Sequence, residues 1–411
     1  MGPTLRFFSL QNSRLWQWRP GTPKSGKFTP SPCSVTTQDN DPGNRRLRTL
    51  CRYEAGDLWG RCRLVCGKPR FRSGFVGCSA IMNTVTLDRS LDPVLRGVGG
   101  TRVCWEQAPP VVRASIEDRL RAKVLSALSQ ESGFSPALAA RLTLDDGRRI
   151  FVKAIGPDEK SGAPGGQESY RREARISAAL PPDVAAPRLT DTWEGEGWVV
   201  LVLEDLDGAN PDLPWRDDQL DRVLQALTTT AAALTPSPIA APPGGTPGGT
   251  DHWRILAEHR LQLTRFPEMD RWVLDHLDLL VQLEESSRAA ASGNTLVHSD
   301  LRADNIVLTD ERVFFVDWPH ARIAAPWLDL VWFLPSVAMQ GGPSPNRLFW
   351  KHPLAQNANH DQVTAALAAF AGFMLHGAAQ LPPPGLPTLR SFQLAQGQQA
   401  VQWLQQMTGA E

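Results

Sequence analysis

Four side chains within residues 296–318, LVHSDLRADNIVLTDERVFFVDW, have the types and spacing to do chemistry. Asp300 is a carboxylate, able to take a proton from a hydroxyl held beside it. Asn305 and Asp317 offer the hard oxygen atoms that a divalent cation such as Mg²⁺ prefers. His298 stands two residues before Asp300, placed to brace the loop or to move a proton. Two apolar runs must position this set: residues 306–308 follow Asn305, and residues 313–316 deliver Asp317. Thr309, Asp310, Glu311 and Arg312 between them read as a polar hairpin turn. An ordinary hairpin also favours Asp and Asn at its turn. Here His, Asp, Asn and the later Asp all fall in register, which favours a site.

The spacing H-x-D-x-x-x-x-N, followed twelve residues later by a strand ending in Asp, is that of a kinase catalytic loop and its second metal ligand. Trp318, Pro319 and His320 follow Asp317 where protein kinases have Phe-Gly. The block HSDLRADNIVL, then VFFVDW, then PWLDLVWF at 326–333, resembles the aminoglycoside phosphotransferase family of small-molecule kinases. The resemblance covers about residues 111–407. It implies an α+β, two-lobed protein-kinase-like fold with a small α/β N-lobe and a larger helical C-lobe. In that fold Asp300 would accept or orient the acceptor hydroxyl, and Asn305 and Asp317 would hold Mg²⁺. Asp329 would help to hold the catalytic loop. Arg302 is expected in a surface salt bridge, with a reach to phosphate as the alternative.

Further upstream, Asp145-Asp146-Gly147 is a hairpin turn leading into a strand at 148–154. On that strand Ile150 and Val152 share one face, and Phe151 and Lys153 the other. Lys is scarce, 7 beside 36 Arg, so Lys153 between Val152 and Ala154 stands out. The resemblance makes it the phosphate-binding Lys, with Glu173 on the helix 168–180 fixing it in place and Glu168 as the alternative partner. It also puts the nucleotide-covering loop at Gly133-Phe134-Ser135-Pro136, where Ser132 and Ser135 offer hydroxyls to phosphate. The backbone around Glu204 to Leu206 would hold the adenine edge, after the buried strand 198–203.

Ser115 reads as the N-cap of a helix whose Ile116, Leu120, Val124, Leu125 and Leu128 form one face. From Trp215 onward the pattern is mainly helical (220–233, 253–266, 269–287, 327–338, 362–375 and 388–407), with a Pro/Gly-rich loop at 235–250. The Trp and Phe residues of these helices read as core.

Composition bounds the class. The chain of 411 residues is 42% hydrophobic and 21% charged, which is globular. Net charge is zero but uneven: residues 1–81 hold 14 basic and 4 acidic residues, so the rest carries an excess of 10 acids. Residues 1–81 read as a basic, disordered extension that the working protein can lack, with 82–110 as linker, 111–206 as nucleotide-binding N-lobe and 207–411 as C-lobe. All six cysteines precede residue 105, and Cys51, Cys62, Cys66 and Cys78 read as free thiols rather than a zinc site. No apolar run approaches the ~20 residues of a membrane span, and no secretory leader is visible. A cytoplasmic location with no nucleic-acid partner is expected. The expected reaction moves the γ-phosphoryl group of ATP or GTP to a hydroxyl of a small molecule. An aminoglycoside suits the net −8 of residues 207–411, 21 acids against 13 bases. The rival reading is a catalytically silent nucleotide-binding module.

Overall fold

A computed structural model describes residues 95, 97, 102–130, 133–157, 166–244, 249, 251–259 and 271–409. The expectations for residues 1–81, for most of the 82–110 linker, for Ser132 and for residues 260–270 lie outside these residues. Among the described residues no helix is long and apolar enough to cross a membrane. Cys104 is a free thiol.

The first half of the described chain builds a five-stranded antiparallel sheet in the order β1-β2-β3-β5-β4. Its strands are β1 (Val124–Ser129), β2 (Leu138–Leu144), β3 (Arg149–Ile155), β4 (Leu189–Gly195) and β5 (Trp198–Glu204). The run WVVLVLE has no polar alternation because β5 lies between β3 and β4 and is covered on both faces. Val200 and Val202 point into one core with Ile150, Val152 and Ile116. Val199, Leu201 and Leu203 point into another with Tyr170 and Ala174. Helix α1 (Pro110–Leu120) covers the first face, and helix α2 (Gly166–Ala179) packs on the second.

Two expectations fail at the start of this lobe. Helix α1 begins at Pro110 rather than at Ser115. Proline lacks the N–H that a first helical turn leaves unpaired, and its fixed φ suits that position. The helix also stops early: Arg121 turns left-handed at φ 55°, and Val124–Ser129 pairs with β2 instead of extending the apolar face. Leu125 and Leu128 are consequently exposed, at 69% and 65%.

The second half is helical: α3 (Asp217–Ala233), α4 (His252–Glu258), α5 (Arg271–Asp275), α6 (Leu277–Ala290), α7 (Leu328–Met339), α8 (Pro345–Lys351), α9 (His360–Ala378) and α10 (Leu389–Thr408). α9 is apolar nearly all round because α6 and α10 pack against it. Buried Glu284 of α6 caps α4, accepting from the backbone N–H groups of His252 and Trp253 and from the His252 ring. Between α6 and α7 lie four short strands: β6 (Thr295–Val297), β7 (Ile306–Leu308), β8 (Val313–Phe315) and β9 (Arg322–Ala324). β7 and β8 form the expected hairpin, and β6 pairs with β9.

Candidate active site

Lys153 is placed by pleat alternation: Val152 and Ala154 are in the α1-side core, so its ammonium emerges on the α2 side. There it donates to Glu173 Oε2 at 2.5 Å and to Asp317 Oδ1 at 2.7 Å. One cation thus ties the sheet, α2 and the residue after β8. Burial alone would lower the Lys153 pKa, but the Asp317 and Glu173 carboxylates outweigh it and hold the ammonium well above its ordinary value. Burial pushes Glu173 up against the pull of Lys153. For Asp317 the order reverses: Lys153 overcomes the burial penalty and depresses its carboxyl strongly. Glu168, the alternative partner, is exposed and pairs with Arg175 instead.

The loop between β6 and β7 is held from behind. Asp329, in the first turn of α7, accepts at 2.7 Å from the backbone N–H groups of both His298 and Ser299. Burial raises its pKa to about 6 even so. His298 Nε2 lies 2.9 Å from the Val316 carbonyl, and its Nδ1 accepts from Asp300 N–H at 3.2 Å. These bonds fix the neutral ring, with the proton on Nε2. Burial drops its pKa to about 4, so the ring braces rather than carries protons near neutrality. Ser299 and Asp317 both take left-handed backbone, at φ 68° and 70°. Strain of this kind concentrates where a chain must aim groups at a site.

Asp300 has both oxygens engaged. Oδ1 accepts from Arg302 Nη1 at 2.5 Å and Oδ2 lies 3.3 Å from Asn305 Nδ2. Burial raises the Asp300 pKa and the Arg302 charge opposes that rise. Asn305 Nδ2 also donates to the Asp300 carbonyl at 2.8 Å, which fixes the amide with its nitrogen toward the loop. Arg302 departs from expectation: rather than lying at the surface, its side chain is 12% exposed and bridges Asp300 and Asp304. It sits over the rings of Phe134 and Phe392, 5.4 and 5.6 Å from their centroids.

The loop between β1 and β2 closes over this region. Phe134 meets Phe392 of α10 edge-on at 5.0 Å. Gly133 has φ 91°, and a Cβ there would come within 2.6 Å of Arg102. Ser135 Oγ lies 3.4 Å from the Tyr170 hydroxyl. At the strand end, Glu204 N–H is already used by the Arg188 carbonyl at 2.9 Å, and the Leu206 carbonyl accepts from Gly208. Among the described residues Leu206 N–H finds no backbone acceptor.

One cavity of about 620 Å³ is lined by Lys153, Glu173, Ser135, Glu204, Leu206, Asp300, Asn305 and Asp317 together. These eight residues therefore open on the same space, whereas His298, Asp329 and Glu168 do not line it. No cluster of three or more His, Cys, Asp or Glu side chains among the described residues forms a self-contained metal site. An ion held between substrate phosphates and one or two protein oxygens needs no such cluster. The cavity is also lined by Trp332, Phe370, Phe373 and Phe392, which sequence reasoning assigned to core. Nothing in an apolar helical pattern separates a ring facing a cleft from one facing a neighbouring helix.

An antiparallel sheet, a covering loop and a buried Lys–Glu pair above a His-x-Asp loop define a kinase-like phosphotransferase fold. The chain belongs to the phosphotransferase enzyme family, the aminoglycoside phosphotransferase group, whose family model matches residues 131–370. No curated protein sequence matches it. Among solved structures it is similar to a thermostable mutant of aminoglycoside phosphotransferase APH(4)-Ia in ternary complex with AMP-PNP and hygromycin B. That match has 15% identity and a TM-score of 0.50, over 74% of this chain and 100% of the other. The choline kinase LicA from Streptococcus pneumoniae gives 15% identity and a TM-score of 0.46, over 72% and 98%.

Proposed function

We propose that this protein transfers the γ-phosphoryl group of ATP, with GTP as an alternative donor, to a hydroxyl of a small molecule. The observation that carries the reading is Lys153 bridging Glu173 and Asp317 in the cavity that Asp300 and Asn305 also line. Phosphoryl transfer asks a protein mainly for positioning and charge. Lys153 would hold the α- and β-phosphates, with Glu173 keeping it aimed. Asp317 and Asn305 would hold Mg²⁺, which neutralises phosphate charge when bound. Leu206 N–H, which has no backbone acceptor among the described residues, would donate to an adenine edge. Asp300 would take the hydroxyl proton as the acceptor oxygen bonds to phosphorus and the bond to the β-phosphate oxygen breaks, releasing ADP. Arg302 and Asn305 keep its two oxygens aimed at the cavity.

The test is Mg²⁺-dependent ADP release from ATP across a panel of hydroxylated compounds. Stimulation by one of them, with a phosphorylated product of matching mass, is the expected result. ATP binding without stimulation by any compound would instead favour the silent nucleotide-binding module.

A further inference from the structure

Leu95, Gly97, Arg102 and Val103 precede the span that the family model matches, yet they are built into the cleft. The Leu95 carbonyl accepts at 2.9 Å from Nε2 of buried Gln340, just past the end of α7. The Gly97 carbonyl accepts from Gly133 N–H at 3.1 Å, and Val103 N–H donates to the Pro136 carbonyl at 3.2 Å. Both ends of the covering loop Gly133-Phe134-Ser135-Pro136 are therefore tied to this stretch. Asp304 of the loop after β6 stands beside it too: a Cβ on Gly97 would lie 3.4 Å from the Asp304 carboxyl carbon.

These bonds decide where Arg102 goes. Its side chain is partly exposed and lines the cavity. Its Nη2 takes the room that a side chain at position 133 would need, 2.6 Å from where a Gly133 Cβ would stand. Two residues along the same loop, Ser135 Oγ lies 3.4 Å from the Tyr170 hydroxyl, and the Lys153 ammonium is 5.3 Å from the Tyr170 ring centroid. Burial raises the Tyr170 pKa, and the charges of Lys153 and Arg102 both oppose that rise. Arg102 thus brings a second cation to the part of the cavity where Lys153 and the covering loop meet. Lys153 is itself shared between two carboxylates, Glu173 and Asp317. A triphosphate entering beside that trio calls for further positive charge, which Arg102 supplies alongside Mg²⁺.

We infer that Arg102 is a phosphate-binding residue, whose guanidinium bonds the β- and γ-phosphates of the nucleotide beneath the covering loop. The inference rests on the phosphotransferase reading above and adds to it a donor contact from outside the matched span of residues 131–370. A guanidinium can present two N–H groups to a phosphate at once, whereas the Lys153 ammonium acts as a point charge.

The test measures the affinities of AMP-PNP and of AMP for the full chain with Mg²⁺, by calorimetry, in wild type, Arg102→Met and Arg102→Lys. Met keeps an unbranched side chain without the charge, and Lys keeps the charge without the planar fork. Arg102→Met is expected to weaken AMP-PNP about 10–100-fold and to leave AMP within about twofold, since AMP lacks the two phosphates that Arg102 reaches. Arg102→Lys is expected to fall between the two. A purely structural Arg102 would move both nucleotides together. AMP-PNP affinity within about twofold of wild type in Arg102→Met, or an equal loss for AMP and AMP-PNP, overturns the inference. Should Arg102→Met fail to fold, the two nucleotides are compared in Arg102→Lys, where an equal change in both overturns it. Wild-type protein that binds neither nucleotide removes the phosphotransferase reading and the inference with it, a result distinct from wild-type binding that Arg102→Met leaves unchanged.

Discussion

Around Lys153 and Arg302 each charge in the cavity is held by opposite charges, whereas the wall that α7, α9 and α10 give it presents, among the described residues, rings, Met374, Leu389 and the amides of Gln393 and Gln396. Lys153 sits between Glu173 and Asp317, and Arg302 between Asp300 and Asp304. Such pairs fix geometry, but each leaves a costly orphan if one partner is removed. The wall of α7, α9 and α10 is different: losing one ring there leaves a hole, not a bare charge. The charged region is thus held by paired ions, and the α7, α9 and α10 wall by packing.

This contrast is sharpest in stability. Lys153→Met leaves Glu173, 3% exposed, without its cation. Unfolding in urea should show a loss of about 3–5 kcal/mol, accompanied by weaker nucleotide binding. Adding Glu173→Gln should recover more than half of the lost stability, because the orphaned charge is gone. If the double variant is no more stable than Lys153→Met, the pair is not what holds α2 to the sheet.

A smaller effect should appear in the pH dependence of the loop. His298 is buried neutral with its pKa lowered to about 4, so the unfolded chain takes up its proton from about pH 6.5 downward while the folded one does not. Its contribution is present above pH 6.5 and is lost as pH falls toward 4. Asp329 has the opposite sign: raised to about 6, it protonates first in the folded state and gains stability as pH falls from 6. In the native protein the two slopes oppose. His298→Gln removes one of them, so wild-type stability relative to the variant should fall by up to about 1.4 kcal/mol per pH unit between 6.5 and 4. A flat difference profile would mean that the His298 ring is charged in the folded protein.

The same contrast explains how much was legible beforehand. His298, Asp300, Asn305 and Asp317 lie within twenty residues on one strand-loop-strand unit, so their spacing survives as a readable pattern. Lys153 is legible as a Lys inside an apolar strand, out of place without a partner, whereas Glu173, on a helix crowded with Arg, is reached only through the family resemblance. The wall residues are spread from 332 to 396 on three helices, and each satisfies a core pattern by itself. That Trp332 Nε1 and Gln396 Oε1 are buried without a partner among the described residues shows only once the helices are packed. At the other end of the chain, periodicity misled: Ile116 to Leu128 matches a helical face, but pairing with β2 takes its second half into the sheet.

The most direct check of the central claim is Asp300→Asn, assayed for single-turnover phosphoryl transfer and for nucleotide affinity on the same preparation. The amide keeps the size of the carboxylate and cannot take the hydroxyl proton. The expected result is a rate lowered by about 10²–10⁴, with nucleotide affinity essentially retained. A rate within about threefold of wild type would contradict the assignment of Asp300 as the group that receives the proton.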